Sequence, residues 1–119
     1  MKESKLTKDL IQYTIKYNAY WLTLVGSNPM QQAGLPDRIL FHKYLPRPAF
    51  LEMKNNDNKL SAIQNITLNE INKRQPFTAF VVRFHNLNIA IQYNDMTLAL
   101  CNKETFITSL TGIMTNEDL

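Results

Sequence analysis

The chain has 119 residues and a mass of 13.8 kDa, and 45% of its residues are apolar. These values predict one folded domain over residues 1–119 and exclude a disordered chain. No apolar run approaches the roughly 18 residues that span a bilayer, and no apolar signal-peptide core follows the charged N-terminus. The net charge of +3 permits nucleic-acid binding without establishing it.

The first half of the chain predicts a helix followed by three strands. Apolar residues at helical spacing predict a helix over residues 3–17. Residues 20–25 are rich in aromatic and branched side chains and predict a strand. After a polar loop, residues 36–42 and 49–54 predict two further strands joined by a proline-containing turn, the arrangement of a hairpin.

The second half predicts a helix over residues 60–74, with Ile63 and Ile66 on its apolar face, and a strongly apolar, interior strand over residues 77–84. Residues 88–93 and 96–101 predict a hairpin that turns at Asn94 and Asp95, and a short helix over residues 103–110 follows. Mixed strands and helices at this length predict an α/β fold with a central sheet flanked by helices. Cys101 ends an apolar run, so we expect a buried structural thiol in a reducing, cytoplasmic compartment.

Three polar side chains are expected to meet at one end of this sheet. Glu52 and Lys54 are two positions apart on a predicted strand, so both emerge on one face while Met53 points to the other. Asp37 begins the preceding strand, and the hairpin places that start opposite the end of the strand that carries Glu52. The pattern therefore brings two carboxylates and an amine together.

This trio has the groups that phosphodiester hydrolysis needs. Mg²⁺ is held by one or two protein carboxylates, and a lysine can orient water or neutralise charge on the phosphate. The alternative is structural, because Glu52 and Lys54 also have the spacing of an ordinary ion pair at a sheet edge, which contributes little energy. Each motif is uninformative alone, but their order along the chain is specific.

Four segments together resemble a known family. Glu3 at the head of the first helix, residues 34–37, residues 51–54 and residues 60–64 are similar to the virus-type replication-repair nuclease (VRR-NUC) group of the PD-(D/E)XK superfamily. The resemblance implies a restriction-endonuclease-like core of helix, three strands, helix and strand, to which this chain adds a C-terminal hairpin and short helix. Asn58-Lys59 stands where the family often has glycine.

The resemblance also implies an activity and a set of site residues. It implies a Mg²⁺-dependent DNA endonuclease, with Mn²⁺ as a substitute, acting as a homodimer on branched DNA such as Holliday junctions in a bacterial or phage-infected cell. Asp37 and Glu52 would be metal ligands together with the Met53 carbonyl. Lys54 would be the catalytic lysine, Glu3 an outer-shell or second-metal carboxylate, and Gln64 a polar contact at the site.

Other functions and roles stay open from the sequence. A homing, nicking or mismatch endonuclease is possible on the same scaffold, and a non-catalytic DNA-binding module is a rival of another class. Arg47 and Lys59 are candidate phosphate contacts. The aromatic group of Tyr13, Tyr17, Tyr20 and Trp21 allows base stacking, but core packing or a dimer contact is favoured.

Overall fold

A computed structural model describes residues 4–24 and 34–115, and the following elements belong to those ranges. Their order confirms the predicted core of helix, three strands, helix and strand, with the hairpin and helix after it. No helix within the described ranges is long and apolar enough to cross a membrane. The elements are α1 (Lys5–Ile15), β1 (Tyr20–Thr23), β2 (Arg38–Phe41), β3 (Ala49–Asn55), α2 (Ala62–Arg74), β4 (Ala79–His85), β5 (Asn88–Tyr93), β6 (Met96–Cys101) and α3 (Phe106–Thr115).

The six strands form one sheet in chain order, β1-β2-β3-β4-β5-β6. All neighbours are antiparallel except β3 and β4, which are parallel and are connected by α2. A parallel pair needs such a crossover, because the chain must return to the starting end of the sheet. The first turn of α2 therefore lies at the end of the sheet where β3 finishes.

The helices cover the two faces of the sheet unequally. The larger core lies under α1 and α3 and includes the fully buried Leu51, Phe80 and Phe106. A smaller cluster forms on the other face, where Leu68 of α2 packs with Ala79 and Val81. Alternation along β3 sends Leu51 into the larger core and leaves Glu52 on the α2 face.

Side-chain hydrogen bonds define where the helices begin. Ser4 caps α1 by accepting a hydrogen bond from the Thr7 amide at 3.1 Å. The helix ends at Ile15, two residues before its predicted end, and the turn that follows it reaches Asn18, whose φ is 73°. Ser61 and Gln64 form a capping box at the start of α2, each side chain bonding the backbone of the other residue.

Two predictions of local structure are wrong. The apolar face of α2 was expected to include Ile63 and Ile66, but Ile66 is 59% exposed and Asn72 is buried instead. The Asn72 amide bonds the backbone at the start of β4, which offsets the cost of burying it. The last helix begins at Phe106 rather than residue 103, because the side chain of Asn102 accepts the Thr105 amide and forms a turn there.

The structure shows the surroundings of Trp21 and Cys101, for which the sequence predicted structural roles. Trp21 is half-buried, stacks on Phe106 with ring centroids 6.5 Å apart, and donates from Nε1 to Thr14 at 2.9 Å, so core packing is confirmed for it. Cys101 is half-buried, and burial raises the pKa of its thiol, as expected for a structural cysteine. The predictions for Glu3, residue 25 and the polar loop through residue 33 lie outside the described residues.

Candidate active site

Asp37 is the last residue before β2 and is fixed at both its backbone and its side chain. Its carbonyl oxygen accepts the Leu24 amide at 2.8 Å, which extends the pairing of β1 with β2. Its two carboxylate oxygens share the Met53 amide, each at 3.2 Å. The hairpin therefore places the Asp37 carboxylate against the backbone of β3, as the sequence predicts.

Glu52 and Lys54 emerge from β3 on the α2 face. The Glu52 residue is only 4% exposed, and Lys54 Nζ lies 3.7 Å from Glu52 Oε2. An unpaired carboxylate in this position would be costly, so the lysine amine offsets part of the desolvation of its neighbour. The pair lies on an interior strand between β2 and β4, which contradicts the alternative of an ion pair at a sheet edge.

The capping box of α2 also orients a side chain of the site. Gln64 uses its Oε1 to accept the Ser61 amide at 2.9 Å, which fixes the rotation of the carboxamide. The opposite side of that group, Nε2, then donates to Glu52 Oε2 at 3.1 Å. Helix capping and the orientation of Glu52 consequently depend on the same side chain.

Burial makes both carboxylates of the site costly to ionise. Burial and then the charge of Glu52 raise the pKa of Asp37 to about 7. Burial likewise raises the pKa of Glu52, although Lys54 and hydrogen bonds with Asp37 act in the opposite direction. A cation held between the two groups would remove this penalty, because it stabilises both ionised forms.

The donor chemistry of the site fits a hard divalent cation. Within residues 4–24 and 34–115, no third carboxylate, histidine or thiol joins Asp37 and Glu52 in a metal-binding cluster. Two carboxylates are nevertheless enough for Mg²⁺, which keeps several waters and takes its remaining ligands from substrate phosphate. The neighbouring backbone of Met53 also belongs to the site, while Glu3 lies outside the described residues.

Asp37→Asn is expected to stabilise the metal-free protein at neutral and alkaline pH. The folded-state pKa of Asp37 is raised from its ordinary 3.8 to about 7, so folding favours the protonated form. The contribution of protonated Asp37 to the stability of the wild-type protein is fully present below pH 3.8 and is lost as the pH rises through 7. Melting in EDTA should therefore give the variant a higher Tm than wild type at pH 8 and a difference near zero at pH 4. Equal Tm differences at both pH values would contradict the raised pKa.

The two predicted phosphate contacts fall in different places. Lys59 is exposed in the segment between β3 and α2, next to the site, and stays a prediction. Arg47 precedes β3, at the end of the strand remote from the site. Its guanidinium donates to Thr78 Oγ1 at 2.8 Å and to the carbonyls of Pro76 at 2.7 Å and Phe77 at 2.6 Å. These bonds give Arg47 a structural role, and its contact with DNA phosphate stays a prediction.

Arg83 is a residue of the site region that the sequence interpretation missed. It stands beside Lys54 in the parallel register of β3 and β4. Its Nη1 donates to the carbonyls of Asn56 at 2.9 Å and Asn58 at 2.5 Å, and its Nε donates to Gln92 at 3.1 Å. Arg83 thus fixes the segment that leads from β3 to α2. A charged residue at position 83 of an otherwise apolar strand was the available signal.

Gly34 allows α2 to approach the loop that precedes Asp37. Its φ is +84°, and a Cβ placed there would lie 2.5 Å from Ile63 Cγ2 and 2.9 Å from the Ile63 carbonyl oxygen. Backbone strain and steric overlap therefore both oppose any larger residue at this position. Ile63 directly precedes Gln64, so the contact couples the loop to the residue that orients Glu52.

Gly34→Ala is accordingly expected to lower the free energy of unfolding by about 1–3 kcal/mol. Gly112 provides a matched control within α3, because a Cβ there would meet no atom within 4 Å. Gly112→Ala should leave stability unchanged or raise it by about 0.5–1 kcal/mol, since alanine favours helix. Urea denaturation of both variants measures the difference, and equal effects would refute the proposed contact.

Comparison with known proteins shows the fold. No protein-family profile matches the chain, and no curated protein matches it in sequence. The structure is similar to that of a Holliday junction resolvase from the archaeal hyperthermophile Archaeoglobus fulgidus, with a TM-score of 0.53 and 13% identity over 88% of this chain and 90% of that one. The likeness confirms the predicted restriction-endonuclease-like α/β fold. The VRR-NUC assignment is not confirmed.

Proposed function

We propose that this protein is a Mg²⁺-dependent endonuclease that cuts phosphodiester bonds in structured DNA and resolves Holliday junctions. The observation that carries the proposal is the arrangement of the half-buried Asp37 and the buried Glu52 with the Lys54 amine 3.7 Å from Glu52 Oε2. The similarity in fold to a Holliday junction resolvase supports a branched substrate. The order of the four sequence motifs supports the same family of chemistry independently of that likeness.

Each residue of the site has a distinct part in this proposal. Asp37 and Glu52 hold Mg²⁺ with the Met53 carbonyl, and Mn²⁺ substitutes because it prefers the same oxygen donors. Bound Mg²⁺ supplies Lewis-acid polarisation of the phosphoryl group and a lowered pKa of water. Gln64 keeps Glu52 oriented through its 3.1 Å hydrogen bond, and Glu3, by family resemblance, adds an outer-shell or second-metal carboxylate.

Lys54 has the position of a proton-handling or charge-neutralising group. Its ion pair with Glu52 restrains the long side chain and keeps Nζ beside the carboxylates. From there the amine orients an attacking water or stabilises negative charge that develops on the phosphate. A flexible surface lysine would not be restrained in this way, and the Lys54 side chain is only 19% exposed.

A binding module without catalysis is disfavoured by the same electrostatics. Buried carboxylates repel phosphate, and their burial raises the pKa of both Asp37 and Glu52. A protein that only binds DNA would gain affinity by replacing them with neutral residues. A nicking, homing or mismatch endonuclease uses the same site, so those alternatives differ from the proposal in the DNA that is cut and in the number of incisions.

A cleavage assay on linear, flapped and four-way DNA tests the proposal. Cutting should require Mg²⁺ or Mn²⁺, stop in EDTA and favour the four-way junction with paired incisions. Cleavage in EDTA would contradict the metal-dependent mechanism. Equal cutting of linear duplex and junction would contradict the resolving activity but would still agree with a metal-dependent nuclease.

Paired incisions require two sites, and we propose that a homodimer supplies them. Tyr20, Leu22 and Phe41 are exposed on the α2 side of β1 and β2, which makes this face a better candidate for the dimer contact than Trp21, which is half-buried against the larger core. Sedimentation should therefore give about twice 13.8 kDa. Leu22→Glu should yield monomers, whereas Leu87→Glu, a matched change at another exposed leucine, should not. A monomeric wild type would contradict the dimer.

A further inference from the structure

A second polar cleft lies at the opposite end of β2 from Asp37. It has a volume of about 380 Å³ and lies between the last turn of α1, the turn after β2 and the start of α3. This volume falls within the range of about 300–1,000 Å³ that is typical of small-ligand sites. Tyrosines and lysines dominate its lining, namely Tyr13, Tyr17, Tyr44, Lys16, Lys43 and Lys103.

The aromatic rings of the cleft are accessible and held in place. Tyr17 is 56% exposed and Tyr44 is 63% exposed, while the ring of Tyr13 lies 5.0 Å from that of Tyr17 between centroids. His42 connects the two exposed tyrosines, because its Nε2 donates to the Tyr17 carbonyl at 2.8 Å and its Nδ1 accepts the Tyr44 amide at 3.1 Å. The imidazole thereby fixes the spacing of the segments that carry the two rings.

The cations of the cleft are arranged around those rings. Lys43 Nζ lies 5.3 Å from the centroid of Tyr44, and Lys103 Nζ lies 5.7 Å from the centroid of Tyr13. Glu104 is the acidic residue among the described residues that line the cleft, against three lysines. The cleft is therefore positively charged and attracts anions.

We propose that this cleft binds an unpaired nucleic-acid strand, with bases stacked on Tyr17 and Tyr44 and phosphates paired with the lysines. Stacking rings beside cations are the combination by which proteins hold single strands without regard to sequence. A simple anion would not use the rings, and an apolar ligand would not use the charges. This inference rests on the proposed function for its choice of nucleic acid, and it adds a strand-binding site remote from the carboxylates.

Binding of a labelled eight-nucleotide thymidine strand, followed by fluorescence anisotropy in EDTA, tests the proposal without cleavage. Tyr17→Ala and Tyr44→Ala should each weaken binding by roughly 5- to 100-fold, because each removes one stacked base. Tyr17→Phe and Tyr44→Phe keep the ring and should bind as wild type does. Lys43→Gln should reduce the salt dependence, lowering the slope of log K against log salt by about 0.7.

Two further probes separate stacking from simple charge attraction. An abasic strand with the same number of phosphates should bind more weakly than the thymidine strand. Equal affinity for the abasic strand, equal affinity for a polyglutamate peptide, or unchanged binding by both alanine variants would overturn the proposal. Asp37→Asn should lose cleavage and keep strand binding. Loss of strand binding in an active nuclease would overturn the second site alone, and strand binding without nuclease activity would overturn the proposed function alone.

Discussion

Cleavage is expected to fall below detection in both Asp37→Asn and Glu52→Gln, while binding of a four-way junction stays equal or becomes tighter. Each substitution keeps the shape of the side chain and removes a negative oxygen ligand of the proposed metal ion. Both ionised carboxylates also repel phosphate, Glu52 from a buried and Asp37 from a half-buried position, so neutralising one favours the bound DNA. Cleavage gels with Mg²⁺ and mobility-shift titrations in EDTA measure the two effects separately.

Glu70→Gln provides the matched control for this result. Glu70 is also a carboxylate and lies on α2, but it is exposed and pairs with Lys73 and Arg74 at 3.3 and 3.1 Å. Its replacement should change neither cleavage nor junction affinity, because exposed pairs of this kind contribute little. A near-normal cutting rate in Glu52→Gln with Mg²⁺ would show that the proposed site is wrong.

Lys54→Ala is expected to lower the cleavage rate by roughly 10²–10⁴-fold, the range for a positioned proton-transfer or charge-stabilising group. The residual activity should also shift to higher pH. Lys54 lowers the pKa of Glu52, so its removal lets that pKa rise, and metal binding needs the ionised carboxylate. Single-turnover rates between pH 6 and pH 9 measure both effects, and calorimetry with Mn²⁺ at the alkaline end should give a nearly unchanged affinity.

Lys73→Ala is the corresponding control, because Lys73 is an exposed lysine that pairs with a glutamate outside the site. It should retain the wild-type rate and pH profile. A Lys54→Ala protein whose rate matches that of Lys73→Ala across the pH range would contradict the role of the amine. A lowered rate with an unshifted pH profile would instead contradict the influence of Lys54 on Glu52.

The short-range patterns of the sequence predicted most of the fold and of the site's layout. Alternation along β3 was enough to place Glu52 and Lys54 on one face, because side chains on a strand have a period of two. The hairpin between β2 and β3 was enough to bring Asp37 to them. Gln64 was predicted from the resemblance alone, since no periodic pattern relates a helix-capping residue to a carboxylate on a neighbouring strand.

Contacts between distant segments could not be predicted in the same way. Arg47 binds carbonyls some thirty residues later in the chain, and the sequence does not state which backbone oxygens will face it. Arg83 lies in an apolar strand, and the sequence does not show which residues of the neighbouring strands lie beside it. Ile63 and Ile66 were assigned to the core because they fit a helical period, but α2 packs against too narrow a part of the sheet to cover every apolar residue it carries.

The position of β3 between two other strands has an evolutionary consequence. Insertion or deletion of one residue within the strand would exchange its faces, placing Met53 at the site and turning Glu52 toward the larger core. Such a chain would lose its activity and acquire a buried charge in the same step. Changes of chain length are therefore not tolerated within this strand. Selection for a stable core is therefore enough to keep Glu52 and Lys54 on the same face.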